Sequence, residues 1–160
     1  MTAYGSAGSL RIRVRRFAVK AMKARDIMHR DATCIPADET LDRAAQVMRN
    51  QDVGALPICN NDRLIGMLTD RDIVVRCVAE GRDPARVRVG DLAQGTPRWV
   101  DGDADVRDVL QIMESHQIKR LPVIDQASKR LIGMICESDL AKNIDDKQLA
   151  RFVASIAVPH

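Results

Sequence analysis

The sequence predicts an α+β fold built from two copies of one unit, ordered strand, helix, strand, strand, helix. Identical residues recur 65 positions apart, namely Asp26 and Asp91, Gln46 and Gln111, Met48 and Met113, Leu56 and Leu121, and Pro57 and Pro122. The string Arg-Leu-Ile-Gly-Met occupies 63–67 and again 130–134. Self-similarity at a fixed spacing is typical of folds made by duplication. Two such copies facing each other would enclose two related clefts, where a functional site is expected.

The first helix of each copy is predicted from a single apolar face. Apolar residues recur at i, i+3, i+4 and i+7, which is the period of an amphipathic helix. They are Leu41, Ala44, Ala45 and Met48 in the first copy and Val106, Val109, Leu110 and Met113 in the second. Residues that favour the N-cap precede each stripe, namely Asp38 or Thr40 and Asp103 or Asp105.

Two short strands are predicted to follow each of these helices as a hairpin. In the first copy, apolar runs at 55–59 and 64–68 flank turn-forming residues, and the second copy repeats the pattern at 120–124 and 131–135. Pro57 lies inside the first run. Because proline cannot donate a hydrogen bond to a neighbouring strand, this strand is expected at a sheet edge unless Pro57 opens it.

The remaining segments set the predicted domain boundaries. The second helix of copy one is expected from Asp70 to Gly81, with a linker over 82–90. The copies are assigned to 22–84 and 85–143. Residues 144–160 are assigned to an amphipathic helix and tail, with Leu149, Phe152, Val153 and Ile156 covering apolar surface of this chain or of a partner. Residues 1–21 are interpreted as a disordered basic extension or an early start codon, with a transit peptide or a basic arm as alternatives.

Charge and hydropathy narrow the class of protein. Residues 1–25 hold seven of the 25 Lys and Arg and none of the 22 Asp and Glu, so the rest of the chain has 18 basic against 22 acidic residues, a formal charge of −4. A mildly acidic core argues against nucleic-acid binding by that part of the chain. No run approaches the ~20 apolar residues that cross a bilayer, so a soluble protein without a membrane partner is expected.

The four cysteines indicate a compartment. Cys34, Cys59, Cys77 and Cys136 form no Cys-x-x-Cys pair, which argues against a zinc ribbon and for a reducing, cytoplasmic location. The histidines His29 and His116 have no metal-ligand spacing, and His160 is terminal and expected to be mobile.

Several motifs carry a family resemblance. They are "RDIM" at 25–28, "LPI" at 56–58, "RLPVID" at 120–125, and above all "GMLTDRDI" at 66–73 with "GMICESDL" at 133–140. At these residues the chain resembles the cystathionine-β-synthase (CBS) domain family, arranged as the tandem pair called a Bateman module, over 25–143. Its sequence is also similar to the sequences of small stand-alone actinobacterial members of the mycobacterial hypoxic response protein type.

The resemblance implies a fold and a function. It implies two CBS repeats packed with pseudo-two-fold symmetry and a homodimer in the form of a flat disk. It also implies an adenine nucleotide such as AMP or ATP bound in the clefts between repeats. The protein would then be a regulatory energy or stress sensor that needs no cofactor and is read by an effector protein not identified by the sequence.

In copy one, the motif Gly66-x-x-Thr69-x-x-Asp72 runs from a strand into a helix start, where unpaired N–H groups and the helix dipole favour phosphate. Thr69 is expected to bond a phosphate oxygen, Asp72 the ribose hydroxyls, and Arg71 to add charge, while Gly66 allows close approach. The resemblance adds Thr33, Ile35 and Pro36 as neighbours of the base. The alternative is a capping box that stabilises the helix by ~1 kcal/mol without a ligand.

Copy two departs from this pattern. Cys136 stands in place of the hydroxyl residue while Asp139 is retained, so the ribose contact survives and the hydroxyl contact is lost. Arg120, with Lys119, compensates only if it points into the cleft. The resemblance places Trp99 and Val100 beside the base. Trp99 could stack on adenine, although a core position is the favoured prediction.

Cys34 and Cys59 lie on strands that are neighbours in the resembled fold, so a disulfide or a shared metal site is an alternative to the favoured prediction of two buried thiols.

Two function classes remain open. No nucleophile with a base and no metal triad has recognisable spacing, so catalysis is not expected. The main hypothesis is the nucleotide-binding regulator. The alternative is a dimeric stress or interaction protein without a ligand, whose assembly depends on cysteine or metal chemistry. A weaker option is that residues 11–20 bind nucleic acid or anionic lipid.

Overall fold

The computed structural model describes residues 22–93, 95 and 97–157. The predictions for 1–21 and His160 lie outside these residues. The first copy contains α1 (Ala24–Ile27), β1 (Ile35–Pro36), α2 (Leu41–Gln51), β2 (Ala55–Asn60), β3 (Arg63–Thr69) and α3 (Asp70–Ile73), which continues as a π-helical turn at Val74–Val78. The second contains α4 (Val89–Leu92), β4 (Val100–Asp101), α5 (Val106–His116), β5 (Arg120–Asp125), β6 (Arg130–Cys136), α6 (Glu137–Ala141) and α7 (Asp146–Ile156).

The two sheets are built alike and confirm the predicted α+β fold of tandem repeats. Their strand orders are β1-β2-β3 and β4-β5-β6. In each sheet the first strand is parallel to the second, and the second and third form an antiparallel hairpin. The hairpin register shifts at equivalent places, between Ile58 and Cys59 and between Val123 and Ile124.

The prediction that Pro57 marks an edge strand is wrong, because β2 is the central strand and Pro57 is its third residue. The proline is tolerated inside this central strand because β1 is only two residues long and pairs only with Ile58 and Cys59. At Pro57 the strand therefore has a neighbour on one side only, and the missing N–H leaves no partner unsatisfied.

The amphipathic helices follow the sequence prediction closely. The stripe of α5 is buried in full, whereas in α2 Leu41, Ala44 and Met48 are buried and Ala45 is exposed. Thr40 and Asp105 occupy the N-cap positions. Asp105 accepts a hydrogen bond from the Arg107 N–H, but Thr40 makes no side-chain cap bond.

The hydrophobic cores of the two copies are completed crosswise. Ala24 and Ile27 of α1 join the core of copy two, and the Ala24 N–H donates to the Ala104 carbonyl at 2.9 Å. Val89 and Leu92 of α4 join the core of copy one. The boundaries at 22–84 and 85–143 stay a prediction, and the two copies do not have separate interiors.

The segment that links the two copies, 79–88, begins and ends earlier in the chain than the predicted linker 82–90. The helical segment after β3 ends at Val78, three residues before Gly81, whose φ of 68° is in the left-handed region. Val87 and Val89, both in the predicted linker, are buried in the core of copy one.

The last helix, α7, covers apolar surface of its own chain. Phe152 and Ile156 are buried in the core of copy two, whereas Val153 is 48% exposed. Arg151 pairs with Glu114 of α5 at 2.8 Å. Among the described residues, no helix is both long and apolar enough to cross a membrane.

Cys34 and Cys59 form a disulfide, so the favoured prediction of two buried thiols is wrong. The disulfide follows from the topology. Pro36 of β1 pairs with Cys59 of β2, so Cys34, two residues before Pro36, lies near Cys59, and the Cα atoms of the two cysteines are 5.5 Å apart. The cytoplasmic location, which rested partly on reduced cysteines, stays a prediction.

Candidate functional site

Two clefts lie between the copies, and the internal repeat relates them. Cleft A lies between segment 29–33 with the start of β2 and the turn from β6 into α6. Cleft B lies between the turn from β3 into α3 and segment 117–122. The lining residues Pro57, Met134 and Cys136 of cleft A correspond to Pro122, Met67 and Thr69 of cleft B.

The turn at cleft B is a complete capping box. The Thr69 hydroxyl donates to Asp72 Oδ2 at 2.6 Å, the Thr69 N–H donates to the same oxygen at 2.9 Å, and the Asp72 N–H donates to Thr69 Oγ1 at 3.1 Å. The capping interpretation is therefore confirmed. Asp72 Oδ1 lies 3.8 Å from Arg76, too far for a hydrogen bond, and can accept from a ligand.

Three basic side chains line cleft B opposite this turn. They are Arg98, Lys119 and Arg120, of which Lys119 and Arg120 also line cleft A. None has an ion-pair partner within the part of the chain that the structure describes, whereas other surface arginines do, such as Arg25 with Asp103 and Arg151 with Glu114. Unpaired cations around a concave surface attract anions. Arg98 escaped the sequence prediction because no motif marks it.

The predicted residues divide between clefts and elsewhere. Thr69, Asp72 and Arg120 line cleft B; Thr33, Arg120 and Cys136 line cleft A. Thr33 also accepts a hydrogen bond from Gln51 at 2.8 Å. The other candidates line neither cleft: Ile35, Gly66 and Val100 are buried, Asp139 is half-buried beside the cleft A residue Cys136, and Pro36, Arg71 and Trp99 are exposed. Their role in nucleotide binding stays a prediction.

The prediction of a core position for Trp99 is wrong, since its exposure is 38%. Strand β4 begins only at Val100, so Trp99 precedes the sheet and points away from the interior.

The structure brings together a cluster at cleft A that the spacing did not reveal. His29 Nδ1 lies 3.0 Å from Asp139 Oδ2, and the Cys136 thiol donates to the same oxygen at 2.9 Å. The donor atoms of all three residues lie within 4.8 Å of one another. Spacing along the chain could not indicate this cluster, because His29 and its partner Asp139 are 110 positions apart.

The cluster has a distinct electrostatic environment. Burial raises the pKa of Asp139, but hydrogen bonds from Cys136 and then from His29 outweigh it and hold that pKa below its usual value. Asp139 also accepts the Cys136 N–H at 2.8 Å, so Cys136 takes the capping place that Thr69 has in copy one.

Comparison with known proteins agrees with this architecture. The family model of the CBS domain matches residues 24–78 and 89–146. The chain belongs to the CBS domain family. Stand-alone pairs of this kind are regulatory domains. The chain is 46% identical over 137 residues to hypoxic response protein 1 of Mycobacterium tuberculosis, covering 85% of this chain and 94% of that protein.

Solved CBS structures share the fold. The crystal structure of hypoxic response protein I with two coordinated zinc ions has a TM-score of 0.70 at 47% identity, covering 78% of this chain and all of that one. A hexameric CBS-CP12 protein from bloom-forming cyanobacteria has a TM-score of 0.69 at 27% identity, covering 79% and 70%. The CBS pair of protein MJ0100, in complex with 5-methylthioadenosine and S-adenosyl-L-methionine, has a TM-score of 0.67 at 20% identity, covering 76% of this chain and 94% of that one.

Proposed function

We propose that this CBS pair is a regulatory protein that binds an adenine nucleotide of the AMP or ATP class in cleft B. One observation carries the proposal: three cations without an ion-pair partner among the described residues line the same cleft as the Thr69–Asp72 turn. The cations are Arg98, Lys119 and Arg120. A nucleotide needs both, because its phosphates are anionic and its ribose hydroxyls are donors.

Each part of the nucleotide has a partner in this arrangement. The phosphates would face the three cations, in charge-assisted hydrogen bonds. Asp72 Oδ1 would accept from the ribose, and Thr69 would rotate its hydroxyl toward the ligand. Met67, Ile118 and Pro122 give the cleft an apolar wall suited to the adenine ring. The adenosyl ligands of the MJ0100 pair support the fold's capacity for such molecules, and at 20% identity no more than that.

The regulatory step would be a change in assembly. A nucleotide shifts an equilibrium only through different affinities for two arrangements. We propose a homodimer as the assembly, with Val74, Val75 and Val78 as contact residues because they are 57%, 45% and 56% exposed on one π-helical turn. The mycobacterial relative's name supports a role in stress, and the effector protein is not identified.

The test is a calorimetric titration of the full chain with AMP, ADP, ATP and S-adenosyl-L-methionine. We expect saturable binding of nucleotides and a loss of at least ~10-fold in affinity in Asp72→Ala, which removes a charged acceptor. Asp91→Ala is the matched control, because Asp91 is the third residue of the capping box of α4 and lines neither cleft. Absence of heat with every nucleotide, or equal loss in both variants, would overturn the proposal.

A second candidate is the dimeric stress or interaction protein without a nucleotide, tuned by cysteine or metal chemistry. The Cys34–Cys59 disulfide and the two zinc ions of hypoxic response protein I favour it. Sedimentation of the full chain with and without reductant separates the candidates. An assembly that changes with disulfide state and ignores nucleotides supports the second.

A further inference from the structure

Cleft A carries a different chemistry from cleft B. His29, Cys136 and Asp139 offer an imidazole nitrogen, a thiol sulfur and a carboxylate oxygen within 4.8 Å of one another. These three donor types together are the set that tetrahedral zinc sites use. We infer that cleft A is a binding site for one Zn²⁺-class ion, held by these three side chains.

The present distances fit an ion with little movement. Zinc bonds of roughly 2.0–2.3 Å place neighbouring tetrahedral ligands roughly 3.3–3.7 Å apart. Asp139 Oδ2 now lies 2.9 Å from Cys136 Sγ and 3.0 Å from His29 Nδ1, joined by shared protons. When a metal replaces those protons, these two pairs separate by roughly 0.3–0.8 Å, and His29 and Cys136, now within 4.8 Å of each other, adjust to the same spacing. The Ser138 hydroxyl, 3.0 Å from the sulfur, is placed to hydrogen-bond a metal-bound thiolate.

The backbone holds the ligands in place before any ion arrives. The His29 N–H donates to the Met134 carbonyl and the Met134 N–H donates back, both at 3.0 Å, so His29 is fixed beside β6. Gly133 permits this contact, because a Cβ there would lie 2.7 Å from the His29 carbonyl oxygen and 2.6 Å from Met28 Sδ. Cys136 and Asp139 are fixed by the cap of α6.

The ion has access and a free coordination position. The side chain of His29 is 44% exposed and that of Asp139 is 15% exposed, so the site opens to solvent on the His29 side. Three protein ligands leave the fourth tetrahedral position to water or to a ligand from another molecule. The site is independent of nucleotide binding in cleft B. It occupies Cys136 and Asp139, so a metal-loaded chain has one nucleotide cleft and not two.

The test uses the full chain with its disulfide intact, titrated with Co²⁺ under anaerobic conditions and then with competing Zn²⁺. We expect one equivalent per chain and a thiolate-to-cobalt charge-transfer band. Cys136→Ser should abolish the band and weaken Zn²⁺ by more than ~100-fold, since losing a direct ligand costs more than losing an outer partner. Serine is a good N-cap, so this variant should fold, which its melting temperature verifies.

His29→Asn should weaken Zn²⁺ to a similar extent. Its matched control is His116→Asn, because His116 is also exposed and lies outside both clefts. A cobalt spectrum without the thiolate band, or Zn²⁺ affinity that His29→Asn leaves unchanged, would overturn the inference. Nucleotide titration of Cys136→Ser separates the two proposals, since cleft B should bind as in the wild type.

Discussion

Clefts A and B are equivalent places in two copies of one fold, and their chemistries differ in part: Lys119 and Arg120 line both, whereas Arg98 lines cleft B only and His29 lines cleft A only. Cleft B has Arg98, Lys119 and Arg120 where the first copy has Thr33, Gly54 and Ala55. The hydroxyl of Thr69 in cleft B is matched by the thiol of Cys136 in cleft A, beside His29. Duplication conserved the backbone and the cap, whereas the ligand-facing side chains diverged.

The strongest test of this contrast makes cleft A resemble cleft B. In Cys136→Thr the thiolate ligand is lost and the cap is kept, so Zn²⁺ affinity should fall by more than ~100-fold with an unchanged melting temperature. Competition with a chromophoric chelator measures the affinity. A variant that still binds Zn²⁺ as tightly as the wild type would contradict the assigned ligands.

The disulfide is a feature of copy one only, because Trp99 and Ile124 occupy the equivalent positions in copy two. The two cysteines are 25 residues apart, and removing a disulfide that closes a loop of this size should lower the free energy of unfolding by about 3 kcal/mol. Urea denaturation of the Cys34→Ser/Cys59→Ser double variant checks the value. Reductant should lower the unfolding free energy of the wild type and leave that of the double variant unchanged. An equal loss in both would show that the disulfide is not the source of the stability.

The cations of cleft B can be replaced by their copy-one counterparts. Arg98→Thr with Arg120→Ala should weaken ATP by about 10–100-fold and AMP by less, because ATP presents more charge to the cleft. Calorimetry at two salt concentrations measures both. Arg86→Ala is the control, since Arg86 is exposed and lines neither cleft. Equal losses for ATP and AMP would show that charge does not set the preference.

The smallest expected difference concerns the caps alone. Thr69→Ala should cost about 1 kcal/mol of unfolding free energy, as for other N-caps. Cys136→Ala should cost less, because a thiol is a weak hydrogen-bonding group. Urea melts of metal-free protein compare them. A larger loss for Cys136→Ala would indicate that the thiol does more than cap α6.

The sequence predicted what depends on local period and on direct repetition. The stripes of α2 and α5, both hairpins and the capping box at Thr69 and Asp72 follow from side-chain spacing within about a dozen residues. The resemblance to CBS pairs then placed the clefts between the copies.

What the sequence missed depends on contacts between distant segments. His29 and Asp139 meet because His29 forms an isolated bridge with Met134 of β6, which no periodicity encodes. The disulfide needed the short parallel pairing of β1 with β2. Trp99 and Pro57 were misjudged because both depend on where a two-residue strand starts.

The crosswise filling of the interiors has a mechanical consequence. Helix α1 of copy one completes the core of copy two, and α4 of copy two completes the core of copy one. Neither copy on its own can therefore exclude water from its core. Heat or denaturant should therefore dismantle the monomer in one cooperative transition. An occupant that stiffens either crevice then raises the melting point of the whole chain, including the repeat it never touches.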